Sequence, residues 1–127
     1  MSEGTYILTV QGSFAAAHRL REYEGNCERL HGHNWKVEAS VESDRLDARG
    51  MAIDFRVVKR ALQEILDRLD HGYLNDVPPF TERNPSSENL ARHLFEEMER
   101  RIPAPVRVRR VIVWESEDAR AEYSRPR

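Results

Sequence analysis

The sequence predicts an α+β fold in which two amphipathic helices cover one face of a four-stranded antiparallel sheet. Segments of extended type stand in pairs at the two ends of the chain, at residues 5–11 and 35–42 and at residues 106–114 and 119–124. Two segments with helical periodicity lie between the pairs, which gives the order β-β-α-α-β-β. At 127 residues we expect residues 1–127 to form a single domain. Such a sheet leaves two unpaired edges, so we also expect an oligomer.

The first two strands are predicted from alternation. Residues 5–11 mix threonine and tyrosine with aliphatic residues, with Tyr6, Leu8 and Val10 on one face. Apolar and polar residues alternate strictly from Trp35 to Glu42, which is the clearest strand pattern in the chain. Residues 12–33 contain three glycines and several polar residues, and we predict that they form an irregular loop.

The two helices are predicted from candidate N-caps and apolar stripes. Asp54 can cap a helix that ends near residues 70–72, and Ser86 can cap a second helix that is ended by Pro103. Apolar residues recur at helical spacing in both. They are Val58, Leu62, Ile65 and Leu69 in the first helix and Ala91, Leu94, Phe95, Met98 and Ile102 in the second.

The composition limits the partners of the protein. Charged residues of both signs make up 33% of the chain and the formal net charge is −2, so nothing favours nucleic acid or an anionic membrane as a partner. No segment has the ~20 apolar residues of a membrane-spanning helix, and residues 1–4 do not resemble a secretory signal. The single cysteine, Cys27, cannot form an internal disulfide. We therefore predict a cytoplasmic protein.

Three histidines and the cysteine predict a zinc site. His31 and His33 are two residues apart, so in extended backbone they point to the same side, and His18 can add a third imidazole. Three neutral imidazoles leave a zinc ion an open fourth position, as in catalytic sites. Two histidines at this spacing also occur on protein surfaces by chance. Cys27 is a buried apolar residue, a fourth ligand in a closed structural site, or a base off the metal, and spacing does not separate these roles.

Six motifs follow one another along nearly the whole chain. They are residues 14–20, 27–33, 53–55, 69–71 with 74–75, 84–91 and 114–116. In these motifs the chain resembles the family of 6-pyruvoyl- and 6-carboxy-tetrahydropterin synthases. The resemblance implies the tunnelling fold, in which three subunits close their sheets into a barrel. It also implies a homohexamer of two stacked trimers, with active sites between subunits.

The resemblance also implies a substrate and roles for the site residues. The substrate is 7,8-dihydroneopterin triphosphate, and zinc is held by His18, His31 and His33. Cys27 removes a proton from the substrate side chain, and the Asp70–His71 pair assists proton transfer. The pterin contacts are Glu115, Ser86, Ser87 and Glu88. Taken without the resemblance, Asp70 and His71 are a helix end, Glu115 is an exposed strand residue, and the others begin a helix.

Two reactions occur within this family. One eliminates triphosphate and keeps a pyruvoyl side chain, and the other also releases acetaldehyde and leaves a 6-carboxyl group, in the pathway to queuosine. Cys27 stands four residues before His31, and this short spacing resembles the carboxy branch, which we predict. The alternatives are the pyruvoyl enzyme, a structural zinc module, a zinc hydrolase or hydratase, and a non-catalytic scaffold. The sequence does not decide which of Arg19, Arg21 and Arg29 meet the triphosphate.

Overall fold

The structure is a computed structural model that describes residues 4–22 and 29–126. The elements are β1 (Tyr6–His18), β2 (His31–Ser43), α1 (Phe55–Leu66), β3 (Gly72–Tyr73), a 3₁₀-helix (Leu74–Asp76), α2 (Ser87–Glu99), β4 (Arg107–Ser116) and β5 (Ala119–Tyr123). The five strands form one sheet in the order β3-β1-β2-β4-β5, in which β3 is parallel to β1 and all other neighbours are antiparallel. The predicted α+β class with two helices is confirmed. The predicted four-stranded, wholly antiparallel sheet is wrong, because the chain adds the short parallel strand β3 after α1.

The prediction of a loop over residues 12–33 is wrong at both of its ends. β1 continues to His18 and β2 begins at His31, and these two residues pair across the sheet. Gly12 misled the prediction, because its Cα faces α1 and a Cβ there would lie 2.7 Å from a methyl carbon of Leu66. The glycine therefore allows a close approach of helix and sheet and does not mark a turn.

The two predicted N-caps are confirmed. The side chains of Asp54 and Ser86 each accept a hydrogen bond from a backbone N–H in the first turn of the following helix. Both helices end earlier than predicted, at Leu66 and at Glu99. All the predicted apolar stripe residues of both helices are buried. No helix in the described part of the chain is long and apolar enough to cross a membrane.

The core lies between the two helices and one face of the sheet. Alternate residues of β2 that point into it are fully buried, as the alternation predicts: Trp35, Val37, Ala39 and Val41. On the opposite face of the sheet, the buried carboxylate of Glu42 accepts a charge-assisted hydrogen bond from Arg109 (2.8 Å) and forms an ion pair with Arg107 (2.9 Å).

The outer edge of β1 is covered only near its C-terminal end. β3 pairs there with Ala16 and Ala17. Just before them, the backbone N–H of His71 donates to the Ala15 carbonyl (2.6 Å), and Asp70 Oδ1 accepts from the Ala15 N–H (2.8 Å). Residues 6–13 have no strand on that side within the described residues. This open edge agrees with the expectation of an oligomer, which stays a prediction.

Candidate metal centre

β1 and β2 bring the three predicted histidines together at one end of the sheet. His18 and His31 are direct cross-strand partners, and His33 lies two residues further along β2 on the same face. The ring centroid of His31 lies 4.5 Å from that of His18 and 4.7 Å from that of His33, and the centroids of His18 and His33 are 5.2 Å apart. The three imidazoles therefore form one compact cluster.

Backbone carbonyl groups fix the tautomers of two of these rings. The Nδ1 atom of His18 lies 2.8 Å from the Pro85 carbonyl oxygen, and that of His31 lies 2.8 Å from the Arg29 carbonyl oxygen. A carbonyl oxygen only accepts, so Nδ1 carries the proton in both rings and Nε2 of each neutral ring carries a lone pair. The two Nε2 atoms are 3.0 Å apart. Two lone pairs at this distance repel each other unless a cation lies between them.

His33 and Glu115 complete the cluster. Nε2 of His33 is buried and makes no hydrogen bond within the described residues, although Glu115 Oε1 lies 3.0 Å from it. Burial lowers the pKa of His33, helped by the neighbouring His31 and His18 and opposed by the Glu115 carboxylate. A lowered pKa favours the neutral imidazole, which is the form that binds a metal.

These four side chains fit a divalent metal ion. One potential ligand atom from each of His18, His31, His33 and Glu115 lies within 4.8 Å of all the others. Imidazole nitrogens with a carboxylate oxygen are a ligand set found in zinc and other transition-metal sites. The orphaned Nε2 of His33 gains a partner if a cation binds. The cluster could therefore hold a metal ion.

Trp35 forms the floor of the cluster. Its fully buried ring meets the rings of His18 and His33 edge to face, at centroid distances of 4.9 and 5.1 Å. Its indole N–H donates to the Ala16 carbonyl (3.2 Å), which fixes the orientation of the ring. The alternation predicted only a strand position for Trp35. Its contact with His33 follows from their shared face of β2, and His18 lies on the same face of the neighbouring strand β1.

The four predicted pterin contacts divide into two groups. Glu115, at the end of β4, accepts a hydrogen bond from the Ser87 hydroxyl through Oε2 (3.1 Å) and has 35% of its side chain exposed. The Ser86 hydroxyl already caps α2. Glu88 is exposed in the first turn of that helix. Only Ser87 and Glu115 are therefore joined to each other and to the histidine cluster.

The predicted proton-transfer residues lie elsewhere. His71 Nδ1 is 2.9 Å from Asp70 Oδ2, so the two residues are in contact, and the His71 side chain is 83% exposed. The Ala15 N–H, and after it His71, hold the pKa of Asp70 below its ordinary value. His71 and His33 line one open pocket of about 380 Å³, but no hydrogen bond links the pair to the histidine cluster within residues 4–22 and 29–126. Cys27 lies outside the described residues.

Comparison with known proteins places the chain in a family. It matches the family model described as 6-pyruvoyl tetrahydropterin synthase over residues 7–126. The 6-carboxy-5,6,7,8-tetrahydropterin synthase of Synechocystis sp. is 38% identical over 128 residues, covering 96% of this chain and 95% of the relative. The 6-pyruvoyl tetrahydrobiopterin synthase of Poecilia reticulata is 36% identical over 113 residues, covering 78% and 76%.

The fold agrees with these sequence matches. The solved structure of Caenorhabditis elegans 6-pyruvoyl tetrahydropterin synthase superposes with a TM-score of 0.85 at 23% identity, covering 99% of both chains. At this identity the superposition shows the fold alone, whereas the family model covers nearly the whole sequence. The chain belongs to the 6-pyruvoyl tetrahydropterin synthase family.

Proposed function

We propose that the protein is a zinc-dependent lyase that acts on 7,8-dihydroneopterin triphosphate. The reaction consumes one water molecule, its products are 6-carboxy-5,6,7,8-tetrahydropterin, acetaldehyde and triphosphate, and it serves queuosine biosynthesis. The observation that carries the proposal is the convergence of three imidazoles beside one carboxylate, with two Nε2 lone pairs 3.0 Å apart. The carboxy branch is supported by the 38% identity to the Synechocystis synthase and by the short spacing between Cys27 and His31.

Zinc would be held by His18, His31 and His33. A bound zinc ion would act as a Lewis acid on the hydroxyl groups of the substrate side chain and increase the acidity of the adjoining C–H bonds. Neutral imidazoles contribute no negative charge, so they leave the charge of the cation uncompensated. The hydrogen bonds to the Pro85 and Arg29 carbonyls keep two of the ligand nitrogens aimed at one point.

In this proposal, protons are moved by Cys27 and by the Asp70–His71 pair. The Cys27 thiolate takes a proton from the substrate side chain, since a cation nearby lowers the pKa of a thiol. Asp70, whose carboxylate form is favoured by its lowered pKa, accepts the Nδ1–H of His71. Nε2 of His71 is then the atom that takes up or releases a proton. This exposed pair would serve an active site that lies between subunits. The subunits would form a hexamer of two trimers, and the sheets of each trimer would close into a barrel.

Glu115 is the proposed anchor of the pterin ring. A carboxylate can accept hydrogen bonds from a ring N–H and from a 2-amino group together. The Ser87 hydroxyl holds Oε2, which limits the rotation of the carboxylate beside the histidines. Ser86 and Glu88 belong to the same proposed contact region, at the start of α2.

The direct test is to incubate the purified protein and zinc with 7,8-dihydroneopterin triphosphate and identify the products by mass. We expect 6-carboxy-5,6,7,8-tetrahydropterin and acetaldehyde. A pyruvoyl product without acetaldehyde would instead select the second candidate, 6-pyruvoyl tetrahydropterin synthase, which is favoured by the 36% identity to the Poecilia protein. No consumption of substrate by the zinc-loaded protein would contradict both.

We expect the Glu115→Gln substitution to lower kcat/KM by roughly 10- to 100-fold, because a charged hydrogen-bond acceptor becomes a neutral amide. Bound zinc should remain near one ion per chain, since all three imidazoles are intact. Steady-state kinetics and metal analysis of the same preparation measure the two effects. Ser87→Ala, which removes only the hydroxyl that holds Oε2, is the matched variant and should have a smaller effect. If Glu115→Gln releases the zinc, Glu115 is a metal ligand and the assignment to pterin is wrong.

A further inference from the structure

We infer that Asn75, Asn84 and Arg21 form a clamp that positions His18 and the backbone of residues 19–21. Asn75 and Asn84 belong to two of the six motifs, in which neither asparagine has yet been given a role. The inference rests on the proposed metal-binding role of His18.

Each asparagine holds both backbone polar groups of one residue just after β1. Asn75 Oδ1 accepts from the Arg19 N–H (3.0 Å), and its Nδ2 donates to the Arg19 carbonyl (2.9 Å). Asn84 Oδ1 likewise accepts from the Arg21 N–H (2.7 Å), and its Nδ2 donates to the Arg21 carbonyl (3.1 Å). A side-chain amide has the same donor and acceptor as a peptide group, so each asparagine replaces a neighbouring strand where β1 has ended. The path of the chain directly after His18 is thereby fixed.

The Arg21 side chain ties the clamp together. Its guanidinium donates to three backbone carbonyls in the segment that carries both asparagines, namely those of Phe80 (2.7 Å), Arg83 (3.1 Å) and Asn75 (3.3 Å). These bonds use much of the donor capacity of the guanidinium. Arg21 is thus committed to the clamp, and among the arginines near the zinc motif it is poorly suited to bind a triphosphate.

Asn84 connects the clamp to the histidine cluster. The residue after it, Pro85, supplies the carbonyl that accepts from His18 Nδ1 (2.8 Å). The carbonyl of Asn84 itself accepts from Nδ2 of Asn89 on α2 (2.9 Å). The same short segment therefore holds the His18 ring, the backbone after His18 and the start of the helix that carries Ser87. The Pro85 carbonyl is thus the outer partner of a proposed ligand, and loss of such a partner typically weakens metal binding 10- to 100-fold.

The test measures the affinity of the full-length protein for Zn²⁺ and Co²⁺ by competition with a chelating dye, with the Co²⁺ absorption spectrum as a second readout. We expect Asn84→Ala and Asn75→Ala to weaken Zn²⁺ binding at least tenfold and to change the Co²⁺ spectrum. Asn84→Asp, which keeps only the acceptor half of the contact, should fall between Asn84→Ala and the unchanged protein.

Two control variants separate positioning from general stability. Ile65→Val removes a methyl group from the buried face of α1 and lowers the melting temperature without touching the clamp. Gln63→Ala removes a surface amide whose hydrogen bond is to Asp67. Both controls should bind Zn²⁺ within about twofold of the unchanged protein. The inference is overturned if the asparagine variants lose thermal stability but keep that affinity. If the unchanged protein itself binds no Zn²⁺, the proposed function fails and this inference fails with it.

Discussion

Replacing His31 with alanine should leave the protein without bound zinc and without measurable turnover. The proposed site has three imidazole ligands, and His31 supplies the Nε2 atom that lies 3.0 Å from that of His18. Two imidazoles cannot retain zinc against dilution as three do, so the loss should exceed the 10- to 100-fold effect typical of outer partners. Metal analysis after gel filtration and product formation from 7,8-dihydroneopterin triphosphate measure the two losses.

His93→Ala is the matched control for the His31 variant. His93 lies on α2, its ring packs edge to face on Phe80 at 5.2 Å, and burial lowers its pKa much as it does for His33. It does not belong to the cluster, so zinc content and turnover should stay near those of the unchanged protein. A His31→Ala protein that kept one zinc ion per chain would show that the ion is bound elsewhere.

Replacing Cys27 with alanine should leave the zinc in place and lower kcat by about 10²- to 10⁴-fold, the usual cost of removing a positioned general base. The three imidazoles are unchanged, so metal content should match that of the unchanged protein. The measurements are the same two, made on the same preparations as for His31→Ala. The two variants thus separate metal binding from proton removal.

The other results for Cys27→Ala each select a different alternative. Loss of zinc together with activity would identify the thiol as the fourth ligand of a closed site, which is the structural module. Undiminished turnover would mean that the reaction needs no thiol, as expected of a hydrolase that uses metal-bound hydroxide. X-ray absorption spectra at the zinc edge, recorded for the active protein and for Cys27→Ala, report directly whether sulfur is a ligand.

The regular elements were predictable where local patterns decide them. The caps at Asp54 and Ser86 and the buried stripes of both helices follow from residue type and spacing alone. β1 was predicted too short because the sequence does not distinguish a glycine in a turn from a glycine beneath a closely packed helix, which is the position of Gly12. β3 was missed because a strand of two residues shows no periodicity. Its pairing with β1 depends on the position of the chain after the end of α1.

The candidate site was predictable to the same extent. The spacing of His31 and His33 indicated their shared face, and His18 was expected as a third imidazole before the resemblance implied the same role for it. The hydrogen bond from His18 to the Pro85 carbonyl joins residues 67 positions apart and uses a main-chain atom that every residue has. The two asparagines likewise act on main-chain groups of distant residues, so residue type alone gives no sign of what they hold.

Asp70 and His71 also limit how a second chain can join the sheet. In an antiparallel pair, alternate residues of β1 direct their N–H and carbonyl groups outward, and those of Ala15 are already occupied by these two residues. A strand from another subunit could pair with residues 6–13 of β1 and would have to end before Ala15. The His71 imidazole would then stand at the seam between subunits, so separating the subunits by dilution would change its surroundings while leaving the three clustered histidines within each chain intact.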